Sequence, residues 1–156
     1  MKLYGGIDLH SNNSVIVVLD EEDRLVYRWR LGNDLATILS ALAPYQATLE
    51  KVVVESTYNG YWLVDGLMEA GYRVHLANTA AIVQYAELKY TDDESDARWL
   101  AKLLRLGLLP EGYIYPKAER AVRDLLRKVR QRTSNLVSVQ NLLARNCGQS
   151  LGANAI

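Results

Sequence analysis

The sequence predicts an α/β fold: a mixed sheet with helices on its faces, followed by a helical extension. Three observations predict it. Strand-like, β-branched or alternating segments fill the chain as far as Leu31, helix-period and strand-period segments then take turns, and from Val122 onward the apolar residues recur at the spacing of one long helix. With 49% hydrophobic residues in 156, the chain is large and apolar enough to bury a core.

Leu3–Leu9 is a short apolar strand pattern, broken by Gly5 and Gly6. Ser14–Leu19 (SVIVVL) is β-branched, the acidic run Asp20–Asp23 marks a turn, and Leu25–Leu31 (LVYRWRL) alternates as a half-buried antiparallel strand does. Short turns make these segments a β-meander. Asp34–Tyr45 carries Leu35, Ile38, Leu39 and Leu42 at helical spacing, with Asn33 as the expected N-cap. Lys51–Glu55 (KVVVE) is nearly all apolar, which suits a buried central strand. Tyr61–Ala70 is helical and ends at Gly71, Tyr72–Leu76 is a fifth strand, and Thr79–Leu88 is a short helix. Ser95–Leu106 is a firmer helix, closed by Gly107 and then Pro110. The order β-β-β-α-β-α-β-α is that of the ribonuclease-H-like folds.

The last segment differs in kind. Val122, Leu125, Val129, Arg132, Leu136, Val139 and Leu143 follow a three–four heptad spacing, and only Arg132 breaks the apolar seam. The expectation is a coiled-coil or helix-hairpin segment, covered by a helix of this chain or of a second copy. The organisation expected is a domain over 1–110 and a basic helical linker over 111–156, which stops short of a further domain.

Composition narrows the function. The one cysteine, Cys147, rules out an internal disulfide and fits a cytosolic protein. The start MKLYGGIDLH has no signal-peptide core, and no apolar run is long enough to span a membrane. The zero net charge hides an asymmetry: Met1–Asp96 holds 7 Lys/Arg against 15 Asp/Glu, and Ala97–Ile156 holds 11 against 3. An acidic body with a basic tail points to nucleic-acid contact. Lys89, Arg98, Lys102, Arg105, Arg127, Lys128 and Arg130 are the expected phosphate-binding residues.

The carboxylates carry the sharper signal. Asp8 lies near the end of the first strand and Glu55 ends the fourth, so neighbouring strands would bring both to one sheet edge. In KYTDDESDARWLAKLL, Asp93 and Asp96 are three apart and Asp92 and Asp96 four apart, so either pair shares a helix face. Converging carboxylates repel one another, and a hard divalent cation resolves the repulsion. Mg²⁺ takes oxygen ligands and keeps waters, which suits phosphate chemistry, with Mn²⁺ as the expected substitute. Two such ions roughly 4 Å apart stabilise both the attacking and the leaving oxygen of a phosphoryl transfer. Tyr58, Tyr61 and Trp62 lie near the expected site, although Trp62 sits on the apolar face of its helix and reads as core.

Taken together, GIDLH (Gly6–His10), VVVEST (Val52–Thr57) with GYW (Gly60–Trp62), and DESDARWLAKLL (Asp93–Leu104) resemble the N-terminal domain of the DEDD transposases of the bacterial insertion-sequence family one-hundred-and-ten, and the related Piv DNA invertases. The resemblance spans essentially the whole chain. It implies a RuvC-like fold and a catalytic metal site made of Asp8, Glu55, Asp93 and Asp96, with Asp92 as the competitor in register. It further implies DNA partners (insertion-sequence ends and target), a structured guide RNA, homo-oligomers through the C-terminal helices, and a bacterial, nucleoid-associated location. Relatives add a C-terminal domain with a serine nucleophile, so this chain alone is expected to fall short of full recombination.

Three rivals stand beside that reading. The stretch GIDLHSNNSVIVVLD also resembles the first phosphate loop of actin-like ATPases, but His10 stands where a glycine is expected and no later Gly-rich phosphate motif follows. A stand-alone Holliday-junction resolvase would need the same acids. A non-catalytic nucleic-acid-binding module would need only the basic helices.

Overall fold

A computed structural model of the chain describes residues 1–55, 60–82 and 93–152, the side chains of 93 and 141–152 excepted. The chain divides into two compact units, Met1–Ile114 and Tyr115–Ile156.

The first unit is built on a six-stranded mixed sheet. Its strands are β1 (Leu3–Leu9), β2 (Asn13–Leu19), β3 (Leu25–Gly32), β4 (Leu49–Glu55), β5 (Val74–Ala77) and β6 (Glu111–Gly112), in the spatial order β3-β2-β1-β4-β5-β6. The first three pair antiparallel through tight turns. β1 pairs parallel with β4, and β4 with β5, because helices α1 (Leu35–Leu42) and α2 (Tyr61–Glu69) carry the chain back between them. α3 (Asp93–Leu106) follows, then β6, antiparallel to β5.

Side-chain alternation divides the core between two faces. Ile7, Leu9, Ile16, Val18, Val52 and Val54 join Ile38 and Leu42 of α1 and Leu63 and Leu67 of α2. On the other face Val15, Val17 and Leu19 meet Ala97 and Ala101 of α3, while Val53 and Ala77 meet Leu100, Leu103 and Leu104. Central strands buried on both faces read as near-continuous apolar runs, and Val15–Leu19 and Val52–Val54 meet that need. Gly6 sets how close α3 comes. A Cβ there would lie 2.0 Å from the Ala97 carbonyl oxygen and 2.9 Å from the Ala101 nitrogen. The glycines of β1 are therefore no strand break; Gly6 is the seat on which the α3 backbone rests.

The β2–β3 turn is tied into the core. Asp20, 4% exposed, accepts from the Glu22 and Arg24 backbone N–H groups and from Arg24 Nε, and these bonds hold its carboxyl below the usual range. Asp23 takes a left-handed φ of 63°. Arg105 grips both its carboxylate oxygens, at 2.7 and 2.9 Å, Lys102 approaches to 3.7 Å, and Arg98 donates to its carbonyl.

Several boundaries differ from expectation. Asp34, not Asn33, caps α1, accepting from the Thr37 N–H. Asn33 instead donates to the His10 carbonyl and accepts from Ser14 Oγ, a tertiary role. α1 tightens into a 3-10 turn over Ala43–Tyr45, and α3 begins at Asp93 rather than Ser95. Of the expected helix over Thr79–Leu88, Thr79–Ala81 form a 3-10 turn, and the residues beyond 82 lie outside the described ones.

The second unit is dominated by α4 (Lys117–Gly152). The Arg123 guanidinium stacks on the Tyr115 ring at 4.9 Å, and Arg120 donates to the Tyr115 carbonyl, so the entry to the helix is fixed. Val122, Leu125, Val129, Leu136 and Val139 of the heptad seam are all more than half exposed. Among the described residues no helix is long and apolar enough to cross a membrane.

Candidate functional site

The register of the sheet decides which acids meet. β1 and β4 run parallel with Ile7 opposite Val54, so Asp8 and Glu55, the next residues, leave the ladder side by side. Both project to the α3 face, because Ile7 and Val54 turn to the other. Asp8 is 2% exposed. Glu55 shares a hydrogen bond with it, and burial, that bond and the nearby charges of Asp8 and Asp96 push the Glu55 carboxyl up to about 8. Strand ends and the first turn of α3 thus bring Asp8, Glu55 and Asp96 within electrostatic reach of one another.

His10 flanks the site, with Nε2 3.0 Å from Asp8 Oδ2. Apart from that contact, Asp8 Oδ2 is buried with no hydrogen-bond partner among the described residues. A buried, unsatisfied carboxylate oxygen beside a carboxyl that holds its proton near neutral pH is a hard-oxygen donor set short of positive charge. In donor chemistry the residues fit a divalent cation. Among the described residues no three His, Cys, Asp or Glu side chains already stand at ligating distance. Asp93 opens α3, one helical step from Asp96; its side chain, and Asp92 and Lys89 altogether, lie outside the described residues.

The expected cations separate into two groups. Arg98, Lys102 and Arg105 lie at four- and three-residue spacing on α3 and turn to the β2–β3 hairpin, where Asp23 engages them. Arg127, Lys128 and Arg130 are exposed on α4. Tyr61 and Trp62 are half-buried and pack on the α1–α2 core, while Tyr58 lies outside the described residues. Sequence reasoning missed His10 and the hairpin anchor Asp23. His10 follows Asp8 by two and so had a signal in the strand period; the partners of Asp23 lie 75 or more residues away and had none.

The Glu55 shift has a consequence for stability. Without divalent cation, folded Glu55 keeps its proton up to about pH 8, whereas the unfolded carboxyl loses it near its ordinary value of 4.5. The folded state therefore binds more protons across that window, and stability falls as pH rises through it, by at most about 1.4 kcal/mol per pH unit. Urea melts from pH 5 to 9 are expected to show this decline in the wild type and a flatter profile in Glu55→Gln. Parallel profiles would contradict the raised carboxyl.

A family model described as a transposase, of the DEDD type found in insertion sequence IS110, matches residues 5–146. No curated protein matches the chain. Among solved structures, T. thermophilus RuvC in complex with Holliday junction substrate is similar at 15% identity and a TM-score of 0.50, over 72% of this chain and 100% of that one. That likeness shows a RuvC-like fold.

Proposed function

Since the chain belongs to the DEDD transposase family of the IS110 type, we propose that Asp8, Glu55, Asp93 and Asp96 form the metal-binding catalytic centre of its transposase reaction, acting on DNA. The observation that carries this reading is the register that sets Asp8 and Glu55 side by side at adjacent strand ends, with Asp96 of α3 near enough to add to the burial that raises the Glu55 carboxyl. Mg²⁺ is the expected ion and Mn²⁺ its substitute. When bound, such an ion polarises a phosphate oxygen and eases the departure of the leaving oxygen. The chain's own residues do the rest. Asp8 and Glu55 hold their carboxylates rigidly, because each backbone is pinned in the central sheet. Asp96 completes the acidic wall from α3, and Gly6 sets its distance by letting that helix settle on β1.

Arg127, Lys128 and Arg130 are the phosphate contacts of this reading. Arg98, Lys102 and Arg105 would have to leave Asp23 to join them. The exposed seam of α4 supports homo-oligomers joined through that helix. Sedimentation across a concentration series tests this, and a monomer throughout would contradict it. A structured RNA partner and action beside the bacterial nucleoid complete the reading.

The test is DNA binding with and without Ca²⁺, a cation that can bridge without driving the reaction. Wild type is expected to tighten on a DNA strand by about tenfold with Ca²⁺, a gain of roughly 1.4 kcal/mol. Glu55→Gln is expected to show no gain, and an equal gain in both would contradict the proposal. The RuvC-like fold gives a second reading, a junction resolvase. Cleavage of a four-way junction by this chain alone would favour it.

A further inference from the structure

The catalytic row of the sheet does not stop at Asp8. Asp8 pairs with Val15 of β2, and Val15 pairs with Arg30 of β3. Paired residues share a face, so Glu55, Asp8, Val15 and Arg30 form one lateral row on the α3 side. In the adjoining row Gly6 pairs with Val17, and Val17 with Arg28. At strand spacing, the Arg30 backbone lies only about 10 Å from that of Asp8. An open trough of about 460 Å³, lined by Val15, Arg28, Trp29, Arg30 and Glu94, occupies this side of the sheet. Both arginines are held by neighbours: Arg28 Nη1 is 2.6 Å from Glu94 at the start of α3, and Arg30 Nη1 donates to Asn13 Oδ1 at 2.9 Å. Trp29 is 60% exposed on the same edge strand.

We propose that this trough carries the DNA strand into the carboxylate site, with Arg30 and Arg28 binding phosphates that flank the reacting one. The inference rests on the reading of Asp8 and Glu55 as the reacting centre. A strand whose phosphate reaches Asp8 must continue past it, and among the described residues α3 covers the adjoining row of Gly6 and Val17. Val15, 3% exposed in the same cluster, still lines the trough between the acids and the cations beyond. Guanidinium groups suit this task because they grip phosphate oxygens with paired N–H groups in fixed geometry. The charge reading along the sequence pointed to the C-terminal helices; these two cations stand in the acidic half of the chain.

The test compares the salt dependence of binding to a fluorescent single-stranded DNA of mixed sequence for wild type, R28Q/R30Q and R28K/R30K. Each phosphate contact contributes about 0.7 to the slope of log affinity against log salt on single strands, so R28Q/R30Q is expected to lower it by about 1.4. R28K/R30K is expected to keep most of the slope and to show that charge, not folding, is at issue; thermal melting of all three proteins checks the fold. Mn²⁺ binding by electron paramagnetic resonance, run in parallel, is expected to be unchanged in R28Q/R30Q. An unchanged DNA slope in R28Q/R30Q, or no DNA binding by wild type, would overturn the trough while leaving the metal centre to stand on its Mn²⁺ signal. Absence of Mn²⁺ binding by wild type would overturn the centre itself. A slope change on RNA of the same sequence but not on DNA would overturn the assignment of the strand as DNA.

Discussion

Asp8→Asn is expected to abolish divalent-cation binding and, with it, transposition. Asp8 is 2% exposed, and its Oδ2, which His10 approaches to 3.0 Å, accepts no hydrogen bond among the described residues, so it has a lone pair to give a cation. An asparagine fills the same space without the charge. The loss of Mn²⁺ affinity should exceed about a hundredfold, the upper end of what losing an outer-shell partner costs. The same substitution relieves the like-charge crowding on Glu55, so the metal-free variant should melt higher than wild type above pH 7. Titration calorimetry with Mn²⁺ and thermal melting check both halves. A variant that binds Mn²⁺ as wild type does, or that melts lower, would contradict this role for Asp8.

The second large effect concerns packing. Gly6→Ala places a methyl group 2.0 Å from the Ala97 carbonyl oxygen, against helix backbone that cannot turn aside. Either α3 lifts or β1 bends. The expected cost is about 3 kcal/mol or more, the upper range for overpacking. Lifting α3 also draws Asp96 away from Asp8 and Glu55, so cation affinity should fall with stability. Gly5→Ala is the control on the next residue. Its Cβ would face the side chains of Val52 and Leu49 at 3.4 to 3.6 Å, ordinary contact distances. It should change stability by less than about 1 kcal/mol, since alanine also restricts the unfolded chain. Equal losses in both variants, measured by urea denaturation, would contradict the close seat of α3.

Local pattern made the central sheet legible. SVIVVL is apolar at every position after Ser14 because both faces of β2 are covered, and LVYRWRL alternates because β3 is an edge. Asp8 stood out for the same reason: an acid near the end of an apolar strand has no solvent to justify it. What pattern could not supply were facts fixed by distant partners. Asn33 and Asp34 are both plausible caps, and only the contacts of Asn33 with His10 and Ser14 decide between them. Arg98, Lys102 and Arg105 read as a phosphate-binding face until the β2–β3 turn is seen to lie against them. The two-residue β6 is too short to leave a period. The alignment of Arg30 with Asp8 depends on register across three strands, which no single segment encodes.

The most direct test of the metal centre is anomalous diffraction from crystals soaked in Mn²⁺. The expected result is a peak bounded by the carboxylates of Asp8, Glu55 and Asp96, with Asp93 adjoining it from the first turn of α3. Mn²⁺ bound elsewhere, with Asp8 and Glu55 left sharing a proton, would contradict the assignment of these acids as the reacting centre.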